Sequence, residues 1–370
     1  MNDGATRPSG GGSIAYFFAS LEANSGALMP VQHHDQDPPG NAAEAGNVRL
    51  ATLAFGGAPA GNLYTGVDDG TARDAIGHAW REGIRHFDTA PYYGYGLSET
   101  RIGDALDGIE RSTYTLSTKV GRLIDVDQGR SDRGDGFAVD GRRAYFDYSR
   151  DGILRSLESS IRRLRTERID LLLLHDIGEL THGPRHPQVL AQALNEALPA
   201  MAELRDQGVV GAIGLGVNEE AVCMEVMQRF PLDAIMLAGR YTLFEQSHSK
   251  AVMAKAQADG VAVLIAGPYN SGLLGADAGP GDTYDYAPAS PAIKARAQRF
   301  YDVCARTGAS VGAAALQFPM AHPAVSNVVC GLRTTGEVAS AIERIRATVP
   351  AATWSSLVEA GLLDAGAPTP

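Results

Sequence analysis

Eight short apolar segments recur along the chain, and a segment with helical periodicity follows each of them. We predict β-strands at residues 49–55, 84–87, 114–120, 169–174, 209–217, 234–237, 261–266 and 325–329. Apolar strands that alternate with helices are typical of a parallel sheet covered on both faces. Eight such units predict an α/β protein whose strands close into a (β/α)8 TIM barrel. An open doubly wound sheet is disfavoured, because the first strand does not lead into a Gly-x-Gly-x-x-Gly turn.

The predicted barrel occupies residues 47–365 as a single domain. Residues 1–46 are rich in Gly, Ala, Asn, Asp, Pro and His, which predicts a disordered tail, and Met29 is an alternative start to Met1. Residues 121–148 and 267–290 show no clear periodicity, so we predict long loops that shape a pocket. A helix capped by Ser98 is predicted to follow the second strand.

Composition excludes several classes of protein. The chain has 32 Lys and Arg residues against 43 Asp and Glu residues, and a net charge of −11 argues against nucleic acid as a partner. Three widely spaced cysteines, Cys223, Cys304 and Cys330, favour buried thiols in a reducing compartment over disulfides or a zinc site. No apolar run reaches the ~18 residues of a membrane span, and no signal peptide is evident. We expect a cytoplasmic protein that binds no metal and no membrane, and its oligomeric state stays open.

Three successive predicted strands end in ionisable residues. Asp88 follows the second strand, Lys119 lies near the end of the third, and His175 follows the fourth. Functional side chains of a parallel barrel lie at the carboxyl ends of its strands, and neighbouring strands are about 4.8 Å apart. We therefore expect these side chains to converge on one opening, with Tyr93 on the loop after Asp88 folded over it.

The functional groups of this set predict its chemistry. A phenol with a pKa of about 10 becomes a base at neutral pH only if a neighbour favours the phenolate. Lys119 beside the Tyr93 oxygen would do so, Asp88 would hold the lysine charged, and His175 would fix a substrate oxygen beside the phenol. This arrangement suits proton transfer at a carbonyl or hydroxyl oxygen while hydride moves at the adjoining carbon.

Each residue of the set also has a structural interpretation when it is taken alone. Asp88 could cap a turn, Lys119 could form an ion pair at the rim, and His175 could be a buried, hydrogen-bonded histidine. A metallo-hydrolase barrel would place Asp and His at strand ends as well. That reading is disfavoured, because no His-x-His follows the first strand and no second ligand cluster is present.

Four segments together carry a resemblance to a known family. They are residues 88–94 (DTAPYYG), 117–121 (STKVG), 169–176 (IDLLLLHD) and 214–218 (GLGVN). Because these segments occur together and in this order, the chain resembles the aldo-keto reductase family from about residue 50 to residue 350. The resemblance implies a (β/α)8 barrel that binds NAD(P)H without a Rossmann domain. It also implies that Tyr93 is the general acid/base, that Lys119 and Asp88 tune it, and that His175 orients the substrate.

Residues 55–64 and 238–246 resemble the bacterial aldose dehydrogenase branch of that family. The branch includes L-fucose and D-threo-aldose 1-dehydrogenases and pyridoxal 4-dehydrogenase. The resemblance implies a small-molecule partner and hydride transfer at C1 of an aldose, giving a lactone. Pyridoxal 4-dehydrogenase or general aldehyde reductase activity is the alternative within the family. A nucleotide-binding regulatory subunit with negligible turnover is the alternative of another class.

The family pattern also implies contacts with cofactor and substrate. The expected cofactor contacts are Gly57, Ala58, Asp88, Asn218, Gly267, Asn270, Ser271, Gly331, Arg333 and Glu337. The expected substrate contacts are Asn62, Tyr64, Tyr92 and His175, and the aromatic wall of the mouth is extended by Tyr95, Tyr145 and Tyr148.

Three departures from the family pattern concern the cofactor. Where many members have Gly-Val-Ser-Asn holding the nicotinamide amide, residues 216–219 are Gly-Val-Asn-Glu, and Asn218 can still hydrogen-bond an amide. The seventh strand ends in Ala266, where many members have a tyrosine that stacks on nicotinamide, so either Tyr269 takes over or the ring is held differently. In the loop after the last strand, Glu337 would repel a 2′-phosphate and accept a bond from a free 2′-hydroxyl, whereas Arg333 would favour the phosphate. The balance leans to NAD over NADP.

Overall fold

The computed structural model describes residues 43–129 and 135–370. The strands are β1 (Ala43–Ala45), β2 (Val48–Leu50), β3 (Leu53–Gly56), β4 (His86–Asp88), β5 (Thr115–Val120), β6 (Arg122–Val126), β7 (Arg142–Phe146), β8 (Ile169–His175), β9 (Val210–Val217), β10 (Ala234–Ala238), β11 (Ala262–Ala266), β12 (Thr283–Tyr284), β13 (Ala287–Pro288) and β14 (Val325–Gly331). Eight of them close a parallel barrel in the order β3, β4, β5, β8, β9, β10, β11, β14. The predicted TIM barrel is confirmed.

Helices follow every barrel strand and cover its outer face. They are α1 (Asp69–Arg81), α2 (Leu97–Ala105), α3 (Arg150–Leu164), α4 (Glu179–His182), α5 (His186–Gln192), α6 (Leu198–Asp206), α7 (Glu220–Met227), α8 (Lys250–Asp259), α9 (Pro291–Thr307), α10 (Val311–Gln317), α11 (Thr335–Arg346) and α12 (Ala351–Glu359). A π-helical turn, Ala193–Ala197, joins α5 to α6.

Strand β8 shows why these segments form a barrel. All of its residues are buried, and its leucines alternate between two apolar clusters. Leu171 and Leu173 belong to the cluster inside the barrel, whereas Leu172 and Leu174 belong to the cluster between strands and helices. A strand that is apolar on both faces is stable only where both faces are covered, as in this fold.

The hairpin of β1 and β2 closes the amino-terminal end of the barrel. Ala45, Val48 and Leu50 are buried and belong to the cluster inside the barrel. The predicted first strand, 49–55, is therefore divided between this hairpin and β3. The predicted tail lies outside the described residues up to residue 42, and the boundary expected at residue 47 falls within the hairpin.

Both long predicted loops contain short antiparallel ribbons. Strands β6 and β7 pair from Arg122 with Phe146 to Val126 with Arg142, inside the predicted loop 121–148. Strands β12 and β13 pair inside the predicted loop 267–290. The loop predictions were wrong there because these strands carry no apolar alternation, and β7 and β13 are largely exposed.

Helix α2 starts one residue earlier than Ser98, and its N-cap is Gly96, with φ of 90°. Ser98 is instead buried, and its Oγ donates to the carbonyl of Gly57 at 2.8 Å. The expected Ser98 cap is therefore wrong: the hydroxyl ties the loop after β3 to α2. This tie holds two of the loops that form the mouth of the barrel.

The described residues bear on three further points: the state of the cysteines, membrane-spanning helices and clusters of metal-binding side chains. Cys223, Cys304 and Cys330 are free and buried, which confirms the prediction of buried thiols. Across residues 43–129 and 135–370, no helix is both long and apolar enough to cross a bilayer. The same residues contain no cluster of three or more His, Cys, Asp or Glu side chains that could hold a metal ion.

Candidate active site

Lys119 and Asp88 form a buried ion pair at the carboxyl ends of β5 and β4. Lys119 Nζ lies 2.9 Å from Asp88 Oδ2 and 3.1 Å from Oδ1, and it also donates to the carbonyl of Thr89 at 2.9 Å. Burial disfavours the ammonium, but Asp88 and Tyr93 together raise the pKa of Lys119 above its ordinary value. Lys119 is therefore charged throughout the neutral pH range.

The Asp88 carboxylate is also held from the neighbouring strand. The parallel register places Asp88 opposite Ser117, whose Oγ donates to Asp88 Oδ1 at 2.7 Å. His86 Nε2 lies 2.9 Å from the same hydroxyl. Because all of these side chains are buried, the orientation of the carboxylate is fixed by the protein alone.

Tyr93 lies on the loop between β4 and α2. Its ring centroid is 4.6 Å from Lys119 Nζ and 6.1 Å from the His175 ring, which it meets edge-on. Gly61 allows the close approach of the opposite loop, since a Cβ there would lie 2.6 Å from the Tyr93 carbonyl carbon.

The acidity of Tyr93 reflects two opposing effects. Burial raises the pKa of Tyr93, whereas the charge of Lys119 and its hydrogen bond lower it, and burial dominates. The phenol is therefore protonated at neutral pH, and Lys119 favours the phenolate without outweighing burial.

His175 ends β8 and faces Tyr93. Burial lowers the pKa of His175 to about 3, so the imidazole is neutral. Its Nε2 is 3.4 Å from Asp176 Oδ2, which is longer than an ordinary hydrogen bond. Within the described part of the chain, Nδ1 has no hydrogen-bond partner. A neutral imidazole donates at one nitrogen and accepts at the other, so His175 can bind a substrate oxygen.

Arg122 and Asp176 form an ion pair that sequence reasoning did not assign to the site. Arg122 Nη2 donates to Asp176 Oδ2, and the guanidinium lies 3.8 Å over the Tyr92 ring. Burial opposes the ionisation of Asp176, but the charge of Arg122 and its hydrogen bond help to hold the pKa of Asp176 below the ordinary value. The sequence feature that could have indicated these two residues is their position, because Asp176 directly follows His175 and Arg122 lies three residues after Lys119.

These side chains open into a cavity of about 940 Å³. The expected cofactor contacts that line it are Ala58, Asp88, Asn218, Gly267, Asn270, Ser271, Gly331, Arg333 and Glu337. The expected substrate contacts that line it are Tyr64, Tyr92 and His175. The structure thus brings the residues implied by the family pattern around one cavity.

Two residues of the expected set do not line this cavity. Gly57 donates its backbone N–H to the carbonyl of Asp88 at 2.8 Å, and a Cβ there would lie 2.5 Å from Ser98 Oγ. Asn62 Oδ1 accepts from the backbone of Val67 at 3.0 Å and from Arg101 at 2.9 Å. Both residues therefore hold loops beside the cavity, and their roles at cofactor and substrate stay predictions.

The aromatic wall is also smaller than expected. Tyr95 is buried in a satellite cluster, and its hydroxyl donates to Asp135. Tyr145 is 40% exposed on β7 and faces away from the cavity, beside α3. Tyr148 Oη donates to the backbone carbonyls of His175 and Asp176 at 2.8 and 2.9 Å, so it braces the site from behind.

The far end of the cavity carries two cations. Arg333 donates to Glu337 through its backbone N at 2.8 Å and through Nε at 2.9 Å. Arg344, which the sequence analysis missed, lines the cavity and donates to the Gly275 carbonyl at 2.8 Å. The sequence feature that could have indicated Arg344 is its place as a basic residue in the last turn of α11.

Many family members have a tyrosine at the position of Ala266, and two further tyrosines line the cavity of this protein. Tyr269 lies with its ring centroid 5.5 Å from the Arg344 guanidinium, at the cationic end of the cavity. Tyr286, in the turn between β12 and β13, also lines the cavity, and its hydroxyl accepts from Asn218 Nδ2 at 3.2 Å. Asn218 also donates to the Ala238 carbonyl at 3.1 Å, so its Oδ1 is left to accept from a ligand amide.

The cavity fits a nicotinamide nucleotide. Its volume is at the upper end of the ~300–1,000 Å³ range of small-molecule sites, so it exceeds the needs of a small sugar alone. At the far end of the cavity Arg333 is paired with Glu337 and Arg344 with Asp277, and the amino terminus of α11, capped by Thr334, presents backbone N–H groups that favour a phosphate group. The opposite end holds Tyr93, Lys119 and His175, where the redox-active ring would lie.

A (β/α)8 barrel with this Tyr-Lys-Asp-His set and this anion-binding end defines a nicotinamide-dependent oxidoreductase. Residues 52–361 match the Aldo/keto reductase family, and the chain belongs to that family. Aldo-keto reductases use NAD(P)H, as the sequence motifs imply for this chain.

Two curated relatives belong to the branch expected from the sequence. Pyridoxal 4-dehydrogenase of Microbacterium luteolum is 38% identical over 328 residues, which cover 85% of this chain and 95% of the relative. D-threo-aldose 1-dehydrogenase of a Pseudomonas species is 35% identical over 335 residues, which cover 89% and 98%. The expected branch is confirmed.

Solved structures share the fold. An aldo-keto reductase from Bacillus halodurans, in its holo form, superposes with a TM-score of 0.66 at 25% identity, covering 86% of this chain and 94% of that one. The glycerol dehydrogenase from Gluconobacter oxydans gives the same TM-score of 0.66 at 22% identity, over 86% and 94%. At that identity the second likeness bears on the fold alone.

Proposed function

We propose that the protein oxidises the hemiacetal carbon of an aldose, of the L-fucose or D-threo-aldose type, to a lactone with NAD(P), and that NAD is preferred. The observation that carries the proposal is the placement of Tyr93. Its ring lies 4.6 Å from Lys119 Nζ and 6.1 Å from the His175 ring, and all three residues line one cavity.

The reaction removes a proton and a hydride from the substrate. Tyr93, as phenolate, takes the proton of the C1 hydroxyl while the C1–H bond breaks and its electron pair leaves as hydride. The C1–O bond then becomes the carbonyl of the lactone. A bound nicotinamide supplies the acceptor for that hydride.

The other residues of the set act on Tyr93 and on the reacting oxygen. Lys119, held charged by Asp88, stabilises the phenolate and so offsets part of the cost of burying it. His175 is neutral and donates an N–H to the same substrate oxygen. General acid–base catalysis by such a positioned group contributes about 10²–10⁴-fold.

The named activities of the relatives point to one chemical class of substrate. An aldose and pyridoxal each carry an aldehyde that closes on a hydroxyl of the same molecule to form a cyclic hemiacetal. Oxidation at that carbon gives a lactone in both cases. Tyr64, Tyr92 and Asp176 line the cavity near the set and offer hydroxyl and carboxylate groups to a hydroxylated ligand.

A second candidate is pyridoxal 4-dehydrogenase or general aldehyde reductase activity. The 38% identity to pyridoxal 4-dehydrogenase of Microbacterium luteolum favours pyridoxal within it. A regulatory subunit would bind the nucleotide with negligible turnover.

A steady-state assay separates these functions. NADH and NADPH formation is followed with D-arabinose, L-fucose, L-galactose and pyridoxal, each with NAD and with NADP. The proposal predicts the highest kcat/KM for one of the sugars with NAD. Preference for pyridoxal would support the second candidate, and no turnover with any substrate would contradict both.

A further inference from the structure

Asp176 is a charged residue beside the catalytic set at the reacting end of the cavity. Its carboxylate lines the same cavity as Tyr93 and His175. Asp176 Oδ2 is 3.4 Å from His175 Nε2. We assign the N–H that binds the reacting oxygen to Nε2, because Nδ1 is buried and cannot reach a ligand. A substrate oxygen bound to His175 therefore has this carboxylate as its immediate neighbour.

The backbone of Asp176 is fixed by its surroundings. Its N–H donates to the Gly216 carbonyl at 3.0 Å, and its own carbonyl accepts from Tyr148 Oη at 2.9 Å and lies 2.9 Å from His182 Nε2. Its φ of 51° is in the left-handed region, which is sparsely populated for residues other than glycine. Such a conformation costs energy and is retained where the surrounding structure enforces it. Here it presents the side chain to the cavity.

Arg122 engages only one oxygen of this carboxylate. Its Nη2 donates to Oδ2, which is also the atom nearest His175. The guanidinium is clamped 3.8 Å over Tyr92 and 4.4 Å over Phe146, so it is held in place.

The second carboxylate oxygen is left to a ligand. Among the described residues, no hydrogen bond or ion pair reaches Asp176 Oδ1, and 13% of the side chain is exposed. An ionised carboxylate only accepts hydrogen bonds, so Oδ1 requires a donor on the ligand.

We infer that Asp176 Oδ1 accepts a hydrogen bond from a hydroxyl on the carbon next to the reacting carbon, and that this contact selects the substrate. The inference rests on the proposed function. In an aldose this hydroxyl is on C2, beside the hemiacetal carbon. In pyridoxal the neighbouring carbon belongs to the aromatic ring and carries no hydroxyl. The contact therefore favours aldoses over pyridoxal and over 2-deoxy sugars.

The wild-type enzyme is tested first, with two matched pairs of sugars. D-arabinose and 2-deoxy-D-ribose differ only in the C2 hydroxyl, as do L-fucose and 2-deoxy-L-fucose. We expect kcat/KM to fall at least about tenfold without the hydroxyl, because a buried acceptor would be left unpaired. Equal kcat/KM within a pair would overturn the inference and leave the proposed function intact. Oxidation of pyridoxal without oxidation of any aldose would overturn both.

The variant Asp176→Asn then tests the residue itself. We expect it to lower the ratio of kcat/KM between hydroxylated and deoxy sugar at least about threefold, because the neutral amide is a weaker acceptor than a carboxylate. A purely structural defect would slow both sugars equally and leave the ratio unchanged, which would contradict the assignment. Asp125→Asn is the matched control, because Asp125 is exposed on β6 and pairs with Arg143 at 3.2 Å away from the cavity. Its ratio should equal that of the wild type.

Discussion

Lys119 Nζ lies 2.9 Å from Asp88 Oδ2, and the two side chains are only 2% and 3% exposed. This pair is formed by the ends of two neighbouring strands, so the barrel itself places a positive charge beside Tyr93. Charges attract more strongly where water is excluded, and an unpaired charge is correspondingly costly there. The pair therefore contributes to stability and to chemistry together.

Asp88→Asn should destabilise the fold, because it leaves the Lys119 ammonium buried without its counter-charge. Breaking a buried ion pair by removing one partner costs about 3–5 kcal/mol. Urea unfolding followed by circular dichroism measures this loss. Asp125→Asn is the control. Asp125 pairs with Arg143 on the surface, where the two side chains are 50% and 56% exposed, so its replacement should lower the free energy of unfolding by only about 0–1 kcal/mol. Equal unfolding midpoints for Asp88→Asn and the wild type would contradict the account.

The pH dependence of oxidation should follow Tyr93. Because burial raises its pKa above the ordinary value, the phenolate fraction keeps increasing up to and beyond pH 9. We expect kcat/KM for sugar oxidation to rise with pH across 7–9, by up to about tenfold per pH unit. His175, with a pKa of about 3, should add no inflection near pH 6–7. A profile that is flat from pH 7 would show that Tyr93 ionisation does not limit the reaction.

Cofactor preference should depend on Glu337. Its carboxylate accepts from Arg333 N and Nε at 2.8 and 2.9 Å, so it neutralises the cation that a 2′-phosphate would need. Glu337→Gln should shift the NAD-to-NADP ratio of kcat/KM about tenfold toward NADP, which corresponds to roughly 1.4 kcal/mol. Glu343→Gln, on the exposed side of α11, serves as the control and should leave the ratio unchanged. An equal shift of the NAD-to-NADP ratio in both variants would contradict a specific role of Glu337 in cofactor preference.

Tyr286 should contribute to cofactor affinity through Asn218. Tyr286→Phe removes the hydroxyl that accepts from Asn218 Nδ2 at 3.2 Å, and the amide would lose part of its orientation. We expect the Kd for NAD to rise about 3–10-fold, in keeping with one lost hydrogen bond, while kcat changes little. Fluorescence titration measures the Kd. Tyr145→Phe removes a hydroxyl from an exposed tyrosine outside the cavity and should leave it unchanged. An unaltered Kd for NAD in Tyr286→Phe would contradict a role of the β12–β13 turn in cofactor binding.

Much of the fold could be predicted because continuous apolar strands admit few arrangements. The run 171–174 is buried on both faces, and its apolar character and length indicated a strand covered on both faces. The convergence of Asp88, Lys119 and His175 followed from strand ends in a parallel barrel. These predictions depend on regular geometry, which the sequence pattern encodes locally.

The parts that could not be predicted depend on contacts between distant residues. Arg122 and Asp176 are 54 positions apart, and no local pattern marks them as a pair. Asn62 is a polar loop residue that could serve a ligand or a loop, and no local pattern marks its hydrogen bond with the distant Arg101. Tyr286 lies in a Gly- and Pro-rich stretch whose short ribbon has no apolar alternation.

The role of Tyr93 as the proton carrier is tested most directly by the variant Tyr93→Phe, assayed with D-arabinose or L-fucose and NAD. The variant removes one oxygen atom and leaves the ring beside Lys119 and His175. We predict that kcat falls at least about 100-fold, while the Kd for NAD, measured by fluorescence titration, stays within about threefold of the wild-type value. Turnover by Tyr93→Phe at the wild-type rate would contradict the central claim that Tyr93 carries the proton.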